Sequence, residues 1–192
     1  MDILVIGGSA GALEALLALV PLLEVRVPAV VAIHLVANQR NLLPEIVGAV
    51  TRRTVVEAED KLPLQLDHIY IAPPNYHVLV ERTGSLALSV DDAVNYSRPS
   101  IDVLFESAAE AFGSRCVGVL LSGANDDGAA GLERIVNAGG RALIQAPATA
   151  QHAIMPAAAI RRLGARALVL PIPELANALA PLAAVSYRAG LL

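Results

Sequence analysis

Three polar residues of complementary chemistry each follow an apolar run in this sequence. They are Ser9, His34 and Asp127, which come after the runs 3–6, 29–33 and 116–121. A hydroxyl, an imidazole and a carboxylate are the nucleophile, base and orienting acid of a serine hydrolase. If the runs are buried parallel strands, the three side chains lie at the carboxyl edge of one sheet, where such folds carry their active sites.

Ser9 lies in the pattern G-x-S-x-G, which runs from Gly7 to Gly11. In such an elbow the glycines permit a sharp strand-to-helix turn that exposes the serine oxygen. The following helix would direct backbone N–H groups at the same point, where they could stabilise an oxyanion. Two other interpretations stay open. The segment could be a dinucleotide-binding turn, although Ser9 stands where that turn needs its middle glycine, or Ser9 could cap the helix.

The base and the acid each have a rival in the sequence. His152 lies in a loop after another apolar run and could replace His34, which would restore the serine, acid, histidine order of α/β-hydrolases. Asp126 is chemically equivalent to Asp127, which could instead cap the following helix. Arg98 could line the crevice. The residues alone therefore predict a serine hydrolase whose triad is only partly assigned.

The elements that would position these residues alternate between strand and helix. The predicted strands span 3–6, 29–33, 54–56, 69–72, 116–121, 142–145 and 167–170, and the predicted helices span 12–23, 39–51, 99–112, 129–138, 155–162 and 174–184. Pro99 suits the first turn of its helix because its missing N–H loses nothing there. The segments 77–81 and 86–90 predict a β-hairpin. The pattern predicts an α/β fold: a doubly wound, mostly parallel sheet with helices on both faces, Rossmann-like and three-layered, in a single domain over residues 1–192.

The composition limits the class of protein. Of 192 residues, 55% are hydrophobic and 17% charged, with a mean hydropathy of +0.58, which fits strands buried on both faces and excludes a disordered chain. The longest apolar stretches, such as 15–23, are too short to cross a bilayer, and no basic, apolar leader begins the chain. We therefore expect a cytoplasmic protein without membrane insertion.

Charge and metal-ligand content narrow the partners further. The net charge of −4 argues against a nucleic-acid partner, which would need a basic face. Cys116 is the single cysteine, so the chain can form no internal disulfide or cysteine metal cluster. The four histidines form no HxxxH pair, which argues against a zinc site. We expect no metal or organic cofactor.

Five ordered segments of the chain resemble the CheB-type chemotaxis methylesterase domain. Residues 5–15 resemble its nucleophile region, 29–34 its histidine strand, 69–77 its YIAPGDxH segment, 95–105 its RPSVDxLF stretch and 117–131 its acid loop. Met155-Pro156 matches a late GMP element without its glycine. The matches span nearly the whole chain, which makes them far more specific than any single motif.

The resemblance implies a role for individual residues. By matching position, Ser9 would be the nucleophile, His34 the general base and Asp127 the orienting acid. The serine, histidine, acid order of this family sets His152 aside, and the position directly before Gly-Ala-Ala-Gly favours Asp127 over Asp126.

The two segments that would supply the oxyanion donors depart from the family pattern. Backbone N–H groups at Ala10 and Ala124 would hold the oxyanion, but the family usually has threonine at the first position and Gly-Met-Gly-Asn-Asp-Gly around the second. The extra carboxylate of Asp126 could raise the basicity of His34 or compete for it. Asp126 and Arg98 are the candidate substrate contacts.

The resemblance also implies an activity. Proteins of this family hydrolyse glutamate γ-methyl esters on the cytoplasmic helices of methylated chemoreceptors, and some deamidate receptor glutamines. We therefore expect a serine hydrolase of chemotaxis-type signalling, in a stand-alone domain without the receiver domain that would allow control by phosphorylation. The alternative is a degenerate CheB-like domain that binds a receptor or another partner without catalysis.

Overall fold

The computed structural model describes residues 1–24, 26–34 and 41–182. The strands in these residues are β1 (Ile3–Gly8), β2 (Ala29–Ile33), β3 (Thr54–Glu57), β4 (His68–Ile71), β5 (His77–Val80), β6 (Leu86–Ser89), β7 (Cys116–Leu120), β8 (Arg141–Gln145) and β9 (Ala167–Leu170). The helices are α1 (Ala12–Leu19), α2 (Leu43–Gly48), α3 (Ile101–Phe112), α4 (Ala129–Asn137), α5 (Ile154–Leu163) and α6 (Ile172–Leu179).

Seven of the strands form one parallel sheet in the order β3-β4-β2-β1-β7-β8-β9. The remaining two, β5 and β6, form the antiparallel hairpin. The predicted fold class, a doubly wound α/β sheet with a hairpin, is confirmed.

The sheet is covered by a helical layer on each face. Alternate side chains of β1 point to opposite faces, because successive residues of a strand alternate in direction. Ile3 and Val5 pack in the core beneath α3, α4 and α5, whereas Leu4 and Ile6 pack in the core beneath α1, α2 and α6. Every residue of β1 is buried, which explains why the strand reads as a continuous apolar run rather than an alternating one.

The helices differ from prediction mainly at their ends. The first ends at Leu19, and the chain continues through Pro21 as a short 3-10 turn. The prediction that Pro99 lies in the first turn of α3 is wrong. The helix begins at Ile101, because the Ser100 hydroxyl accepts the backbone N–H of Val103 and so acts as the N-cap. Predicted residues 39, 40, 183 and 184 lie outside the described residues.

The topology brings three chain segments to one edge. β1 lies between β2 and β7, with Gly8 opposite Ile33 on one side and Gly7 opposite Leu120 on the other. The segments that leave these three strands therefore emerge together, and they carry Ser9, His34 and Asp127. None of the helices in the described part of the chain has the length and apolar character needed to span a membrane.

Candidate active site

Two hydrogen bonds connect the Ser9 turn with the segment that follows β7. The backbone N–H of Ser9 donates to the Ser122 carbonyl at 2.9 Å, and the Ser122 hydroxyl donates to the Ala10 carbonyl at 2.8 Å. Gly11 has a φ of +73°, and a Cβ there would lie 2.9 Å from Ser122 Oγ. No side chain caps α1, whose N-cap is Gly11, so Ser9 does not serve as a helix cap.

His34 directly follows β2 and contacts the acid. Its backbone N–H donates to the Gly8 carbonyl at 3.1 Å, which fixes its position beside the end of β1. Its Nε2 lies 2.8 Å from Oδ2 of Asp127. Its Nδ1 lies 3.3 Å from the hydroxyl of Ser97. The imidazole therefore lies between a carboxylate and a hydroxyl, but this hydroxyl is not that of Ser9.

The fully buried carboxylate of Asp127 accepts hydrogen bonds on both oxygens. Besides His34, Oδ2 accepts the backbone N–H of Ile101 at 2.7 Å. The donors to Oδ1 are the Asn95 amide at 3.0 Å, the Ser100 hydroxyl at 2.9 Å and the backbone N–H of Asp102 at 3.1 Å. Asp127 thus lies on the N-terminus of α3, where free N–H groups and the positive end of the helix dipole favour an anion.

These donors decide the charge of Asp127 and the tautomer of His34. Burial acts to raise the pKa of Asp127, but hydrogen bonds from His34, Asn95 and the backbone of α3 outweigh it and hold that pKa below its usual range. An ionised carboxylate only accepts hydrogen bonds, so the proton of the neutral imidazole lies on Nε2. Nδ1 is then the unprotonated nitrogen.

Asp102 is a second buried acid beside the first. Its Oδ1 accepts the backbone N–H of Gly131 at 2.6 Å, and its Oδ2 accepts Asn95 Nδ2 at 2.9 Å. Burial raises the pKa of Asp102 to about 6, and the nearby charge of Asp127 adds to the rise. Asn95 therefore lies between two carboxyl groups whose pKa values are shifted in opposite directions, that of Asp127 being lowered and that of Asp102 raised.

The raised pKa of Asp102 predicts a pH-dependent stability. Protonation stabilises the fold here, so the contribution is fully present below the unfolded pKa near 4 and is lost as pH rises through about 6. A shift of about two units at about 1.4 kcal/mol each gives at most about 3 kcal/mol. Urea unfolding of the unchanged protein and of Asp102→Asn should show their difference in unfolding free energy falling between pH 4 and 7. Parallel curves would contradict this.

The Ser9 hydroxyl lies next to His34 by strand register but is not hydrogen-bonded to it. Gly8 and Ile33 are register partners, so Ser9 and His34 are the next residues along two neighbouring strands. Adjacent strands lie about 4.8 Å apart. Within the part of the chain that the structure describes, the half-buried Ser9 side chain makes no hydrogen bond. Catalytic hydrogen bonds are often long before substrate binds.

The remaining predicted residues differ in their surroundings. The backbone N–H groups of Ala10 and Ala124 have no acceptor among the described residues, and both residues are exposed. Asp126 is exposed and its side chain does not contact His34. Arg98 turns its guanidinium towards the backbone, with Nη1 2.7 Å and 2.9 Å from the carbonyls of residues 90 and 91. His152 is exposed, and only its backbone meets the Ser122 segment.

A crevice of about 410 Å³ opens beside His34. Its walls are formed by His34, Asn75, Asp92, Ala93, Tyr96, Ser97, Arg98 and Pro99. Tyr96 is fully exposed, and Tyr76, which follows the crevice residue Asn75, is also exposed. A larger cavity, of about 610 Å³, lies around Arg53 and Asp67, at the opposite edge of the sheet, and contains none of the predicted site residues. In residues 1–24, 26–34 and 41–182, no three His, Cys, Asp or Glu side chains are grouped as metal ligands would be.

Sequence reasoning gave no site role to four residues that contact the His34–Asp127 pair. They are Asn95, Ser97, Ser100 and Asp102. All four lie within residues 95–105, the stretch that resembles RPSVDxLF, so the resemblance marked the segment but not the contacts. One feature of the sequence could have pointed to these contacts. Asp127 follows β7, and the free N–H groups at the start of a helix stabilise an anion, so the residues that begin a neighbouring helix are candidate donors to it.

Known proteins resemble this chain over most of its length. Residues 4–179 match the family model described as CheB methylesterase. A protein of Leptospira interrogans, named as a candidate protein-glutamate methylesterase/protein-glutamine glutaminase, is 41% identical over 161 residues, covering 83% of this chain and 83% of that protein. A protein-glutamate methylesterase/protein-glutamine glutaminase of Hydrogenovibrio crunogenus is 35% identical over 179 residues, covering 90% of this chain. The chain covers 47% of that longer relative.

The fold is also that of a solved structure. The crystal structure of the Thermotoga maritima CheB methylesterase catalytic domain matches with a TM-score of 0.88 and 29% identity, covering 94% of this chain and 98% of that one. The family model and the solved structure therefore agree. The chain belongs to the CheB methylesterase family.

Proposed function

We propose that this chain is a serine hydrolase that removes methyl groups from glutamate γ-methyl esters of chemoreceptors. We assign Ser9 as the nucleophile, His34 as the base and Asp127 as the acid, in one domain over residues 1–192. The observation that carries the proposal is the contact of 2.8 Å between His34 Nε2 and the buried Asp127 carboxylate, at the sheet edge where Ser9 leaves the neighbouring strand.

The base in this reaction is Nδ1 of His34. Because Nε2 is engaged by Asp127, only Nδ1 can take the proton of a serine hydroxyl. Nδ1 now faces Ser97, so the proposed reaction requires the Ser9 hydroxyl to reach the same nitrogen when substrate binds. The buried charge of Asp127 stabilises the imidazolium that forms, since the carboxylate is already ionised and oriented.

The reaction proceeds by acyl transfer in two steps. Ser9 Oγ attacks the ester carbonyl carbon and gives its proton to His34, while the N–H groups of Ala10 and Ala124 bind the oxyanion. The intermediate collapses, the proton passes to the leaving oxygen, and methanol departs. Water then attacks the glutamyl ester of Ser9 and gives a proton to His34, which returns it to Ser9 as the glutamate leaves. Attack on a glutamine carboxamide would follow the same path with ammonia as the leaving group.

The surroundings of the crevice support a protein substrate. An open crevice with an exposed tyrosine at its rim suits a side chain presented on the surface of a helical bundle. We propose the cytoplasmic helices of methylated chemoreceptors as that partner and the cytoplasm as the place of action. Arg98 and Asp126 are the proposed substrate contacts, Arg98 from the wall of the crevice and Asp126 from the exposed side of the acid loop.

Two assays on the purified chain test this function. Incubation with a methylated receptor fragment should release methanol in amounts that match the loss of γ-methyl ester. A serine-directed fluorophosphonate should label Ser9, as located by peptide mass spectrometry. A chain that releases no methanol and is not labelled would contradict the proposal.

A second candidate function is favoured by one observation, namely that His34 Nδ1 contacts Ser97 rather than Ser9. A degenerate domain that binds a receptor without catalysis would show such a geometry. It would bind the receptor fragment yet leave its methyl esters intact, and Ser9 would resist the fluorophosphonate. The two assays therefore separate the enzyme from the binder.

A further inference from the structure

A tight turn over the crevice adopts a backbone conformation that its residues rarely choose. Asn95 and Tyr96 have φ values of 51° and 61°, and two backbone hydrogen bonds, of 3.2 Å and 2.9 Å, join Val94 to Ser97. Positive φ costs on the order of 1 kcal/mol or more at a residue such as Tyr96, whereas asparagine tolerates it better than other non-glycine residues. Such a conformation persists only where contacts with the surrounding structure stabilise it, so we infer that this turn makes such contacts.

Asn95 makes the contacts that account for the strained turn. One nitrogen, Nδ2, lies 3.0 Å from Asp127 Oδ1 and 2.9 Å from Asp102 Oδ2. An amide nitrogen carries two hydrogens, so each carboxyl group receives one. Both partners are acceptors, which also fixes the orientation of the amide, with nitrogen towards the acids.

Residue type at this position is restricted by charge and length. A carboxylate here would add a third negative charge to two acids, whereas alanine would remove a donor from each. The titratable groups that face the network are His34 from the end of β2, Asp102 and Glu106 from α3, and His77 beside Ser100, with Arg134 of α4 4.0 Å from Glu106. Of these groups, His34 contacts Asp127 through its side chain and Asp102 contacts it through its backbone N–H, and Asn95 is the neutral donor between the two carboxyl groups.

We propose that Asn95 is a positioning residue of the catalytic pair. By donating one hydrogen to Asp127 and the other to Asp102, its carboxamide keeps Asp127 deprotonated and oriented towards His34. Asn95 does not touch the reacting atoms and acts only through Asp127. The proposal rests on the proposed function in one respect, since its kinetic consequence requires that Asp127 and His34 take part in catalysis.

Two substitutions at this position test the role, one that removes the donor and one that adds a charge whose effect depends on pH. Asn95→Ala should lower kcat about 10- to 100-fold, the effect of one hydrogen bond to a charged group, with little change in KM. Asn95→Asp keeps the shape but adds a charge. It should be less active than Asn95→Ala at pH 8, and the ratio of its activity to that of Asn95→Ala should rise as pH falls and the new carboxyl group takes up a proton that it can donate. A role in shape alone would leave Asn95→Asp close to the unchanged protein at every pH.

A carboxyl-carbon NMR titration provides a readout that does not depend on activity. The titration midpoint of Asp127 should be higher in Asn95→Ala than in the unchanged protein, because the carboxylate loses a donor. In Asn95→Asp the new carboxyl group should take up its proton at a higher pH than Asp127 does, and the signal of Asp127 should respond to that added step. The matched control is Asn177→Asp, which adds the same charge on exposed α6, in the helical layer on the opposite face of the sheet from α3, and should change neither the kinetics nor the midpoint.

The outcomes separate the two proposals. Unchanged kcat and an unchanged Asp127 midpoint in both Asn95 variants would overturn the role of Asn95 while the unchanged protein still releases methanol. If the unchanged protein releases no methanol, the proposed function fails, and a shifted midpoint still supports the positioning of Asp127 by Asn95. Thermal unfolding of both variants identifies any loss of fold, and the midpoint is then measured at a temperature where the variant is folded.

Discussion

Replacing Ser9 by alanine should reduce methanol release on the order of 10⁴- to 10⁶-fold, the usual effect of removing a catalytic nucleophile. In the proposed mechanism this hydroxyl forms the covalent intermediate, and no other group of the elbow can replace it, because Ala10 and Gly11 carry no nucleophile. The stability of the protein should change little, since the Ser9 side chain makes no hydrogen bond within the described residues. Methanol release from a methylated receptor fragment measures the effect.

The neighbouring hydroxyl of Ser97 provides the matched control for Ser9→Ala. Ser97 is hydrogen-bonded to His34 Nδ1 in this structure, at 3.3 Å, and is the rival nucleophile on that contact alone. If Ser9 is the nucleophile, Ser97→Ala removes one neutral hydrogen bond and should lower kcat by less than about tenfold. Full activity in Ser9→Ala together with inactivity in Ser97→Ala would reverse the assignment.

Asp127→Asn should lower kcat about 10⁴-fold, as loss of the orienting carboxylate does in serine hydrolases. The carboxamide can face the backbone donors of α3 only through its single oxygen, so its NH2 group would oppose other N–H groups. The imidazole would then lose both its tautomer preference and the negative charge that stabilises its protonated form. Burst labelling by a fluorophosphonate and steady-state methanol release both report the loss.

The adjacent acid is a suitable reference for this substitution. Asp126→Asn removes the same charge one residue away, but Asp126 is exposed and makes no side-chain contact with His34. Its labelling by the small fluorophosphonate should remain close to that of the unchanged protein, whatever happens to receptor binding. Equal loss of labelling in the two variants would mean that net charge near the crevice, rather than the buried carboxylate, controls the reaction.

The sequence was sufficient for the architecture and for which strand ends carry the chemistry. Apolar runs buried on both faces predict a parallel sheet, and a parallel sheet brings the segments after neighbouring strands to one edge. That reasoning predicts Ser9 and His34 at one edge of the sheet, and the register of β1 with β2 shows that they follow neighbouring strands. Their roles in the reaction stay a prediction.

The contacts that set the charge of the site could not be predicted in this way. Asp126 and Asp127 are chemically identical, and only the loop before α4 turns one inward and leaves the other exposed. The donors to Asp127 come from the start of α3, 25 and 26 residues earlier, and from a turn before it. The spacing of apolar residues does not indicate such contacts, because they depend on how the start of a helix packs against a loop from a distant part of the sequence.

The central position of β1 has a consequence for the order in which the protein is made. Ile3 pairs with Cys116, so β1 is synthesised well before β7, the second of its two partner strands, which follows more than 100 residues later. Until then the nascent polypeptide can join β1 to β2 only, and one flank of its backbone stays without hydrogen bonds while apolar side chains face water. The unpaired flank of β1 is therefore open to association with other chains during translation, and Ser9, His34 and Asp127 can come together only after the ribosome has released the acid loop.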